Sequence, residues 1–244
     1  MSGRLIVDLG SRGIAWRGVG EPGGAAHDNA PGKCLAQAFD AALRPDEVVV
    51  GSVASEAVNQ NLRAWCRENW QLVPRELTPS AEARGVRNAY RDPEQLGVDR
   101  WAALVAAHRR YGGAALIADC GTAVTVDYLA GDGRHVGGLI APGIGLMRDA
   151  LARGTRLDPV SVHAPTPRLL GDDTELCIAG GVLAAVTGML RYAADKVAAR
   201  YGAPQVFLIT GGDAATVQAR LGSEWQLAPF LVLDGLEWLA EKPR

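Results

Sequence analysis

Short apolar runs that end in an aspartate and a glycine occur twice along this chain, at matching places in its two halves. The first reads L-I-V-D-L-G-S-R-G-I-A-W over residues 5–16, and the second reads I-A-D-C-G-T-A-V-T-V-D over residues 117–127. Each pattern predicts two strands joined by a tight, glycine-bearing turn. Because Asp8 and Asp119 are separated by close to half of the 244 residues, the repeat indicates a duplicated unit.

The first half continues as alternating strands and helices. A Gly-, Pro- and Asn-rich loop near residues 20–32 leads into a predicted helix at 33–43, and the strand E-V-V-V-G and a helix at 55–69 follow. After a polar, irregular stretch, L-G-V-D-R-W opens a helix whose apolar residues recur every three or four positions. Asp99 and Arg100 fall in its first turn.

The second half restarts the same order after Y-G-G at residues 111–113, which divides the chain into domains at 1–112 and 113–244. Three strands joined by hairpin turns are predicted first, and the third reads H-V-G-G-L-I-A. Helices near residues 144–153 and 174–200 come next. The strand V-F-L-I-T then ends at Gly211 and Gly212, and a last strand and helix close the chain.

Composition and charge narrow the class of protein. The chain is 48% apolar with a formal net charge of −2, which gives no attraction to nucleic acid or to an anionic membrane surface. No apolar segment is expected to approach a membrane span, and the N-terminal apolar run is too short for a signal peptide. The four scattered cysteines and four histidines show no metal-ligand spacing, so we expect reduced thiols, a cytoplasmic location and no histidine chemistry.

The turns themselves suggest phosphate chemistry. A carboxylate beside the backbone N–H groups of a glycine hairpin can face a phosphate, and the chain has neither a P-loop nor a G-x-G-x-x-G motif after a strand. One such turn is a weak signal, whereas two are a stronger one. A third glycine turn, T-G-G-D-A at residues 210–214, is either a simple turn capped by Asp213 or a close approach to adenosine.

Two D-x-G-S/T turns and a late G-G turn resemble the acetate and sugar kinase, Hsp70 and actin superfamily. That resemblance implies an α/β fold of duplicated ribonuclease-H-like (actin-like ATPase) domains, each a mixed five-stranded sheet flanked by helices, with ATP in the cleft. Four motifs in order, G-V-D-R-W, D-C-G-T-A-V-T-V-D, H-V-G-G-L-I-A-P-G and T-G-G-D-A, narrow the resemblance to the type III pantothenate kinases. It implies ATP-dependent phosphorylation of pantothenate to 4'-phosphopantothenate, the first step of coenzyme A synthesis.

The resemblance also implies roles for particular residues, together with ATP carrying Mg²⁺, a monovalent cation (K⁺ or NH₄⁺) and a homodimer. Asp99 would be the catalytic base, and Asp119 would hold the monovalent cation. Pantothenate would contact Tyr90, Gly97, Val98, Asp99, Arg100 and Thr174, and ATP would contact Asp8, Gly10, Ser11, Arg12, Thr122, Gly211 and Gly212.

The chemistry of phosphoryl transfer agrees with this assignment. It needs a carboxylate to deprotonate the attacking hydroxyl, and the guanidinium of Arg100 suits the single carboxylate of pantothenate. Other interpretations of the same residues stay open: Asp99 and Arg100 as an ordinary charged helix start, Tyr90 as a loop aromatic, and Thr174 as a helix N-cap.

The first turn departs from the family pattern D-x-G-N-[ST], which a lysine follows. Here Ser11, Arg12 and Ala15 stand at the Asn, Ser/Thr and Lys positions. Arg12 could replace lost phosphate donors, or it could fill the phosphate space. Three hypotheses therefore remain: a pantothenate kinase, a non-catalytic ligand-binding or regulatory relative, and another small-molecule kinase of the superfamily.

Overall fold

The computed structural model describes residues 3–18, 22–38, 44–155 and 170–241. The chain forms two compact units. The first comprises Met1–Arg110 together with Phe230–Arg244, and the second comprises Tyr111–Pro229.

The first unit is a five-stranded sheet with helices. Its sheet strands are β1 (Arg4–Leu9), β2 (Gly13–Arg17), β3 (Gly23–Ala26), β4 (Glu47–Ser52) and β5 (Arg75–Glu76). A separate small hairpin consists of β6 (Glu82–Ala83) and β7 (Val86–Arg87), and a 3-10 turn covers Pro93–Gln95. The helices are α1 (Pro31–Ala38), α2 (Glu56–Trp70), α3 (Val98–Tyr111) and, from the end of the chain, α7 (Leu231–Ala240).

The second unit has the same kind of sheet. Its strands are β8 (Ala115–Cys120), β9 (Ala123–Leu129), β10 (His135–Pro142), β11 (Val206–Thr210) and β12 (Trp225–Leu227). Its helices are α4 (Ile144–Gly154), α5 (Thr174–Tyr201) and α6 (Ala214–Leu221).

The two sheets have the same topology, which confirms the duplicated, mixed five-stranded fold. The strand orders are β3-β2-β1-β4-β5 and β10-β9-β8-β11-β12. In each sheet the first three strands pair antiparallel to one another. The fourth strand pairs in parallel with the strand that carries the aspartate, and the fifth pairs in parallel with the fourth. These central strands are nearly continuous apolar runs, as expected for strands covered on both faces.

The C-terminal helix does not lie in the unit that a division at residue 112 assigns to it. Helix α7 packs on β1, β2 and β4, so it belongs to the first unit, whereas the sequence-based boundary assigned it to the second half. Two glycines allow this packing. A side chain at Gly51 would clash with Leu236, and one at Gly235 would clash with the backbone of Ala102 on α3.

One strand lies where the sequence predicted only a loop. Residues 23–26 form β3 at the edge of the first sheet, although G-G-A-A has little strand propensity and is mostly exposed. Its register is fixed by pairing with β2. Helix α1 begins at Pro31, and the predicted end of that helix, residues 39–43, lies outside the described residues.

Helix α5 corrects the expectation that no segment approaches the length of a membrane span. Among the described residues it is the one helix that is long and apolar enough to cross a membrane by length and composition. Half of its most apolar window is buried inside the protein, and it contacts α4, α6 and β9. Core helices pass the same test, so this finding is weak evidence for a membrane span.

Replacing Gly235 by alanine should destabilise the first unit. The new methyl group meets the Ala102 carbonyl, so α7 must move away from α3, at a cost of about 2 kcal/mol. Gly188 on α5 is the matched control, since it is exposed and nothing lies within 4 Å of an added Cβ. Gly188→Ala should raise the free energy of unfolding by about 0.5 kcal/mol. Urea unfolding measures both, and an unaffected Gly235→Ala variant would contradict the packing of α7.

Candidate active site

The G-V-D-R motif forms the first turn of α3, and its glycine makes room for the aspartate. A Cβ at Gly97 would clash with Oδ1 of Asp99, so a larger residue there would displace the carboxylate. The same Oδ1 accepts a hydrogen bond from the backbone N–H of Arg100 at 2.7 Å. Asp99 is partly exposed, at a helix N-terminus where a negative charge is stabilised. The motif therefore fixes the carboxylate without burying it.

Arg100 is buried, with 5% of its surface exposed, and it lies against Tyr90. Its Nη1 donates a hydrogen bond to the Tyr90 hydroxyl at 2.8 Å, and the guanidinium carbon lies 5.7 Å from the ring centroid. A buried guanidinium is costly unless it is paired and hydrogen-bonded. Tyr90 thus forms one cluster in the first unit with Asp99 and Arg100 of the G-V-D-R motif.

Asn88 holds the loop that carries Tyr90, and sequence reasoning missed it. Its Oδ1 accepts from the Tyr90 N–H at 3.0 Å, and its Nδ2 donates to the carbonyls of Ser80 and Pro93 at 3.3 and 3.2 Å. Its own N–H donates to Ala81. The signal in the sequence was the position of Asn88, two residues before Tyr90. An asparagine side chain commonly bonds to the backbone two residues later and so fixes a turn.

The first D-x-G turn lies at the end of β1. Asp8 is partly buried and pairs with Ala15 on one side and with Gly51 on the other. The turn closes through a hydrogen bond from the Gly10 N–H to the Gly13 carbonyl at 2.9 Å. Ser11 and Arg12, at the tip, have exposed side chains. The chain thus presents both side chains toward solvent at the position expected for phosphate.

The second turn brings Asp119 and the T-G-G-D-A segment together. Since β8 and β11 are parallel neighbours, Asp119 pairs with Thr210 and lies beside Gly211. Gly211 has φ +95°, and a Cβ there would clash with Oδ1 of Asp119 and with the Cys120 carbonyl. The Asp213 N–H donates to that carbonyl at 2.9 Å. Two motifs that are far apart in sequence therefore form one glycine-lined turn cluster in the second unit.

Burial shifts the ionisation of two groups in this cluster. It raises the pKa of the Cys120 thiol to about 12, so the thiol is not a nucleophile at neutral pH. It also raises the pKa of the Asp213 carboxyl, which Arg148 partly counteracts. Asp213 occupies the N-cap position of α6, which begins at Ala214, but its side chain makes no capping hydrogen bond. Sequence reasoning did not identify Asp213 as a site carboxylate.

Thr122 lies at the tip of the second turn, held against the start of α4. The Gly143 N–H donates to the Thr122 carbonyl at 2.9 Å, and the Gly121 N–H donates to Ala123 at 3.0 Å. A side chain at Gly143 would clash with the Gly121 carbonyl. The glycine of the A-P-G sequence is therefore required for β10 and α4 to join next to this turn.

Thr174 is the first residue of α5 and lines an open cavity of the second unit. The cavity is largely apolar and is also lined by Pro142, Met147, Ile178 and Val182. The interpretation of Thr174 as the helix N-cap is wrong. Asp173 takes that position, and its side chain accepts from the Leu176 N–H at 2.7 Å.

The donor set fits a magnesium ion that enters with a nucleotide. Within the described ranges, no group of three or more His, Cys, Asp and Glu side chains could hold a metal ion. Mg²⁺ is commonly bound through one or two carboxylates, substrate phosphates and water. Asp8, near the end of β1 and beside a glycine turn, is a carboxylate of that kind.

The sequence and structure are similar to known kinases. The model of the family described as type III pantothenate kinase matches residues 15–196. The chain is 37% identical to the type III pantothenate kinase of Nitrosococcus oceani, over 97% of this chain and 93% of the relative. It is 43% identical to that of Alkalilimnicola ehrlichii, over 87% and 85%.

This chain belongs to the type III pantothenate kinase family. Members of that family are ATP-dependent kinases that transfer phosphate to pantothenate in coenzyme A synthesis. ATP binding with a divalent metal follows from membership. A solved structure of a putative 2-dehydro-3-deoxygalactonokinase from Sinorhizobium meliloti, 17% identical, covers 97% of this chain and 98% of its own with a TM-score of 0.57. It supports the sugar-kinase and actin-like fold.

The match to the type III pantothenate kinase family model begins at residue 15, after the D-L-G-S-R turn. The G-V-D-R motif, the second D-x-G turn and Thr174 lie inside the matched range. Asp8, Gly10, Ser11 and Arg12 lie outside it, as do Gly211 and Gly212. The first turn is also where the sequence departs from the pattern expected for type III pantothenate kinases.

Replacing Gly211 by alanine should disrupt the turn cluster of the second unit. The variant forces a left-handed backbone onto alanine and drives its methyl group into Asp119, at a cost of at least about 2 kcal/mol in unfolding free energy. At Gly212 nothing lies within 4 Å of an added Cβ, so Gly212→Ala should cost less than about 0.5 kcal/mol. Thermal or urea unfolding compares the pair. Equal destabilisation would contradict the close contact between Gly211 and Asp119.

Proposed function

We propose that this chain phosphorylates pantothenate with Asp99 as the general base. The carboxylate takes the proton of the 4'-hydroxyl as that oxygen forms a bond to the γ-phosphorus of ATP. The bond from the γ-phosphorus to the β,γ-bridging oxygen breaks, and ADP leaves. The arrangement of Asp99, Arg100 and Tyr90 carries the proposal, since it places a partly exposed carboxylate next to a buried, oriented cation.

Asp99 suits the role of base because its geometry is fixed and its charge is supported. The Arg100 N–H and the N-terminus of α3 stabilise the ionised carboxylate, and Gly97 leaves room for it. Phosphoryl transfer needs mainly positioning and charge stabilisation, so a carboxylate held in a fixed position is sufficient.

Arg100 and Tyr90 are proposed to bind the pantothenate carboxylate, together with the Gly97 and Val98 backbone and Thr174. A guanidinium presents several donors in one plane, a geometry that matches a carboxylate. The hydrogen bond from Arg100 to Tyr90 limits the rotamers of both side chains. The substrate would then meet donors that are already oriented, which lowers the entropic cost of binding.

ATP is proposed to contact Asp8, Gly10, Ser11 and Arg12 in the first unit, and Thr122, Gly211 and Gly212 in the second. The glycine turns support this proposal because a turn whose glycines carry no side chain lets a phosphate approach the backbone closely. A magnesium ion held by the phosphates would neutralise charge that develops in the transition state.

A monovalent cation, K⁺ or NH₄⁺, is proposed at Asp119, and a homodimer in the cytoplasm is the proposed form of the enzyme. Helix α4 supports the dimer because none of its described residues is buried, and Leu139 and Ile140 on β10 are exposed at 42% and 64%. A second copy would remove these apolar side chains from water. The net charge of −2 supports small-molecule substrates rather than nucleic acid.

A second candidate function is a non-catalytic relative that binds ligand without turnover. The first turn favours it, because Ser11 and Arg12 replace the expected residues and the family match begins after them. Arg12 at the turn tip is exposed, so it could reach a phosphate or occupy the same space. Measured turnover decides between the two candidates.

Purified protein should release ADP from Mg-ATP only when pantothenate is present. Asp99→Asn should lower kcat by about a hundredfold or more, because asparagine cannot accept the proton. Glu94→Gln is the matched control, since Glu94 is an exposed acid on the 3-10 turn before the motif. A coupled ADP assay with a panel of alcohol substrates measures all three proteins.

Each other outcome of that assay has a defined meaning. Wild-type protein that binds pantothenate by calorimetry but releases no ADP would support the non-catalytic relative. Release that depends on another alcohol would support a different kinase of the superfamily. An Asp99→Asn variant as active as Glu94→Gln would remove Asp99 from the role of base.

Potassium should activate the wild-type enzyme, and Asp119→Asn should weaken that activation. Loss of the carboxylate removes the full negative charge proposed to bind the cation, so the half-activating K⁺ concentration should rise roughly tenfold, equivalent to about 1.4 kcal/mol. Titration of KCl at constant ionic strength, with sodium as the replacement ion, measures the effect. An identical K⁺ response in both proteins would contradict a cation site at Asp119.

A further inference from the structure

His27 is buried beside the first phosphate turn, and the proposed mechanism does not use it. Only 2% of its surface is exposed. Its ring Nε2 lies 2.9 Å from the Gly10 carbonyl, and its ring Nδ1 lies 3.0 Å from the backbone nitrogen of Asn29. Its own backbone N–H donates to the Arg12 carbonyl at 3.1 Å. One residue therefore contacts the turn at two positions.

The two ring contacts define the tautomer of His27. The Asn29 backbone N–H is a donor only, so Nδ1 must accept from it and carries no hydrogen. A neutral imidazole carries one hydrogen on its ring nitrogens. This hydrogen is therefore on Nε2, which donates to the Gly10 carbonyl. Both nitrogens are satisfied in this neutral form. Through these two hydrogen bonds the imidazole links Gly10 of the turn to Asn29 in the segment that follows β3.

The local sequence explains why the ring reaches the turn. Strand β3 pairs with β2, with Gly13 opposite Ala26, and so returns the chain to the turn. Asp28 and Asn29 then adopt left-handed backbone conformations, with φ 42° and 63°, which Asp and Asn tolerate better than most residues. The Ala30 N–H donates back to the His27 carbonyl at 2.6 Å. The H-D-N sequence thus makes a tight bend that directs the imidazole at Gly10.

We propose that His27 is a positioning residue for the phosphate turn, setting the orientation of the peptide groups that meet ATP. The inference rests on the proposed role of that turn in nucleotide binding. The turn closes with one hydrogen bond of its own, from Gly10 to Gly13, and its tip side chains are exposed. The contacts from His27 to Gly10 and Arg12 add two further anchors to this turn. Backbone donors stabilise a phosphate only when their orientation is fixed in advance.

Two substitutions at His27 separate its two ring contacts. In His27→Gln the side-chain NH₂ can take the place of Nε2 and donate to Gly10. In His27→Asn the side-chain oxygen can take the place of Nδ1 and accept from Asn29, but the contact with Gly10 is lost. The matched control is His108→Asn on α3 of the same unit, a histidine whose Nδ1 has no hydrogen-bond partner within the described part of the chain.

The measurements are the KM for ATP, the kcat, and the Kd for a non-hydrolysable ATP analogue with Mg²⁺ by calorimetry. We expect His27→Asn to raise both the KM and the Kd about tenfold, the effect of losing one buried hydrogen bond, with a smaller change in kcat. His27→Gln should restore both constants to within about threefold of wild type. His108→Asn should match wild type. Thermal unfolding confirms that each variant is folded.

The outcomes distinguish this inference from the proposed kinase function. Equal nucleotide affinity in His27→Asn and wild type would overturn the positioning role even if the enzyme is active. Equal weakening in the Asn and Gln variants would also overturn it, since the loss would not follow the contact with Gly10. If wild type binds the analogue without turning pantothenate over, the kinase proposal fails, while a weaker Kd in His27→Asn alone still supports His27. Wild-type protein that does not bind the analogue would overturn both.

A spectroscopic test is independent of activity. Nitrogen-15 NMR of the histidine rings should show His27 as the neutral tautomer with its hydrogen on Nε2. A hydrogen on Nδ1 would contradict the donation to Gly10 and overturn the proposal.

Discussion

Parallel pairing of the two central strands in each sheet is the constraint on which the D-x-G turn of each unit depends. Parallel strands end at the same edge of a sheet, so residues far apart in sequence meet there. In the second unit, pairing of β8 with β11 sets Asp119 next to Gly211. In the first, pairing of β1 with β4 aligns Asp8 with Gly51, and the Val53 N–H donates to the Leu9 carbonyl. Without this register, Asp8 would not lie beside Gly51, and Asp119 would not lie beside Gly211.

The features that sequence could predict are those carried by local pattern. Apolar runs that end in Asp and Gly were sufficient for the central strands, and their repeat indicated a duplicated unit. The five-stranded sheet itself was implied by the superfamily resemblance. The ordered motifs were sufficient for the family. Helix α3 was predicted because its apolar spacing and its charged first turn agree with each other.

The features that sequence could not predict depend on contacts between distant segments. Strand β3 has no strand-forming side chains and exists because β2 offers it an edge. Asn88 and His27 each hold neighbouring loops through several hydrogen bonds, and such contacts leave no periodic pattern in the sequence. The buried state of Arg100 was equally invisible, since a charged residue in a first helical turn is usually exposed. Such residues can be identified only from coordinates.

The place of α7 in the first unit has a consequence for synthesis of the protein. The helix comes from the end of the chain, yet it covers β1 and β4, which the ribosome makes first. Until the second unit has been translated, the nascent first unit therefore lacks α7, and the sheet surface that α7 covers stays exposed. The second unit has no such dependence, because its segment is continuous from Tyr111 to Pro229. Vectorial synthesis thus favours completion of the later unit before the earlier one.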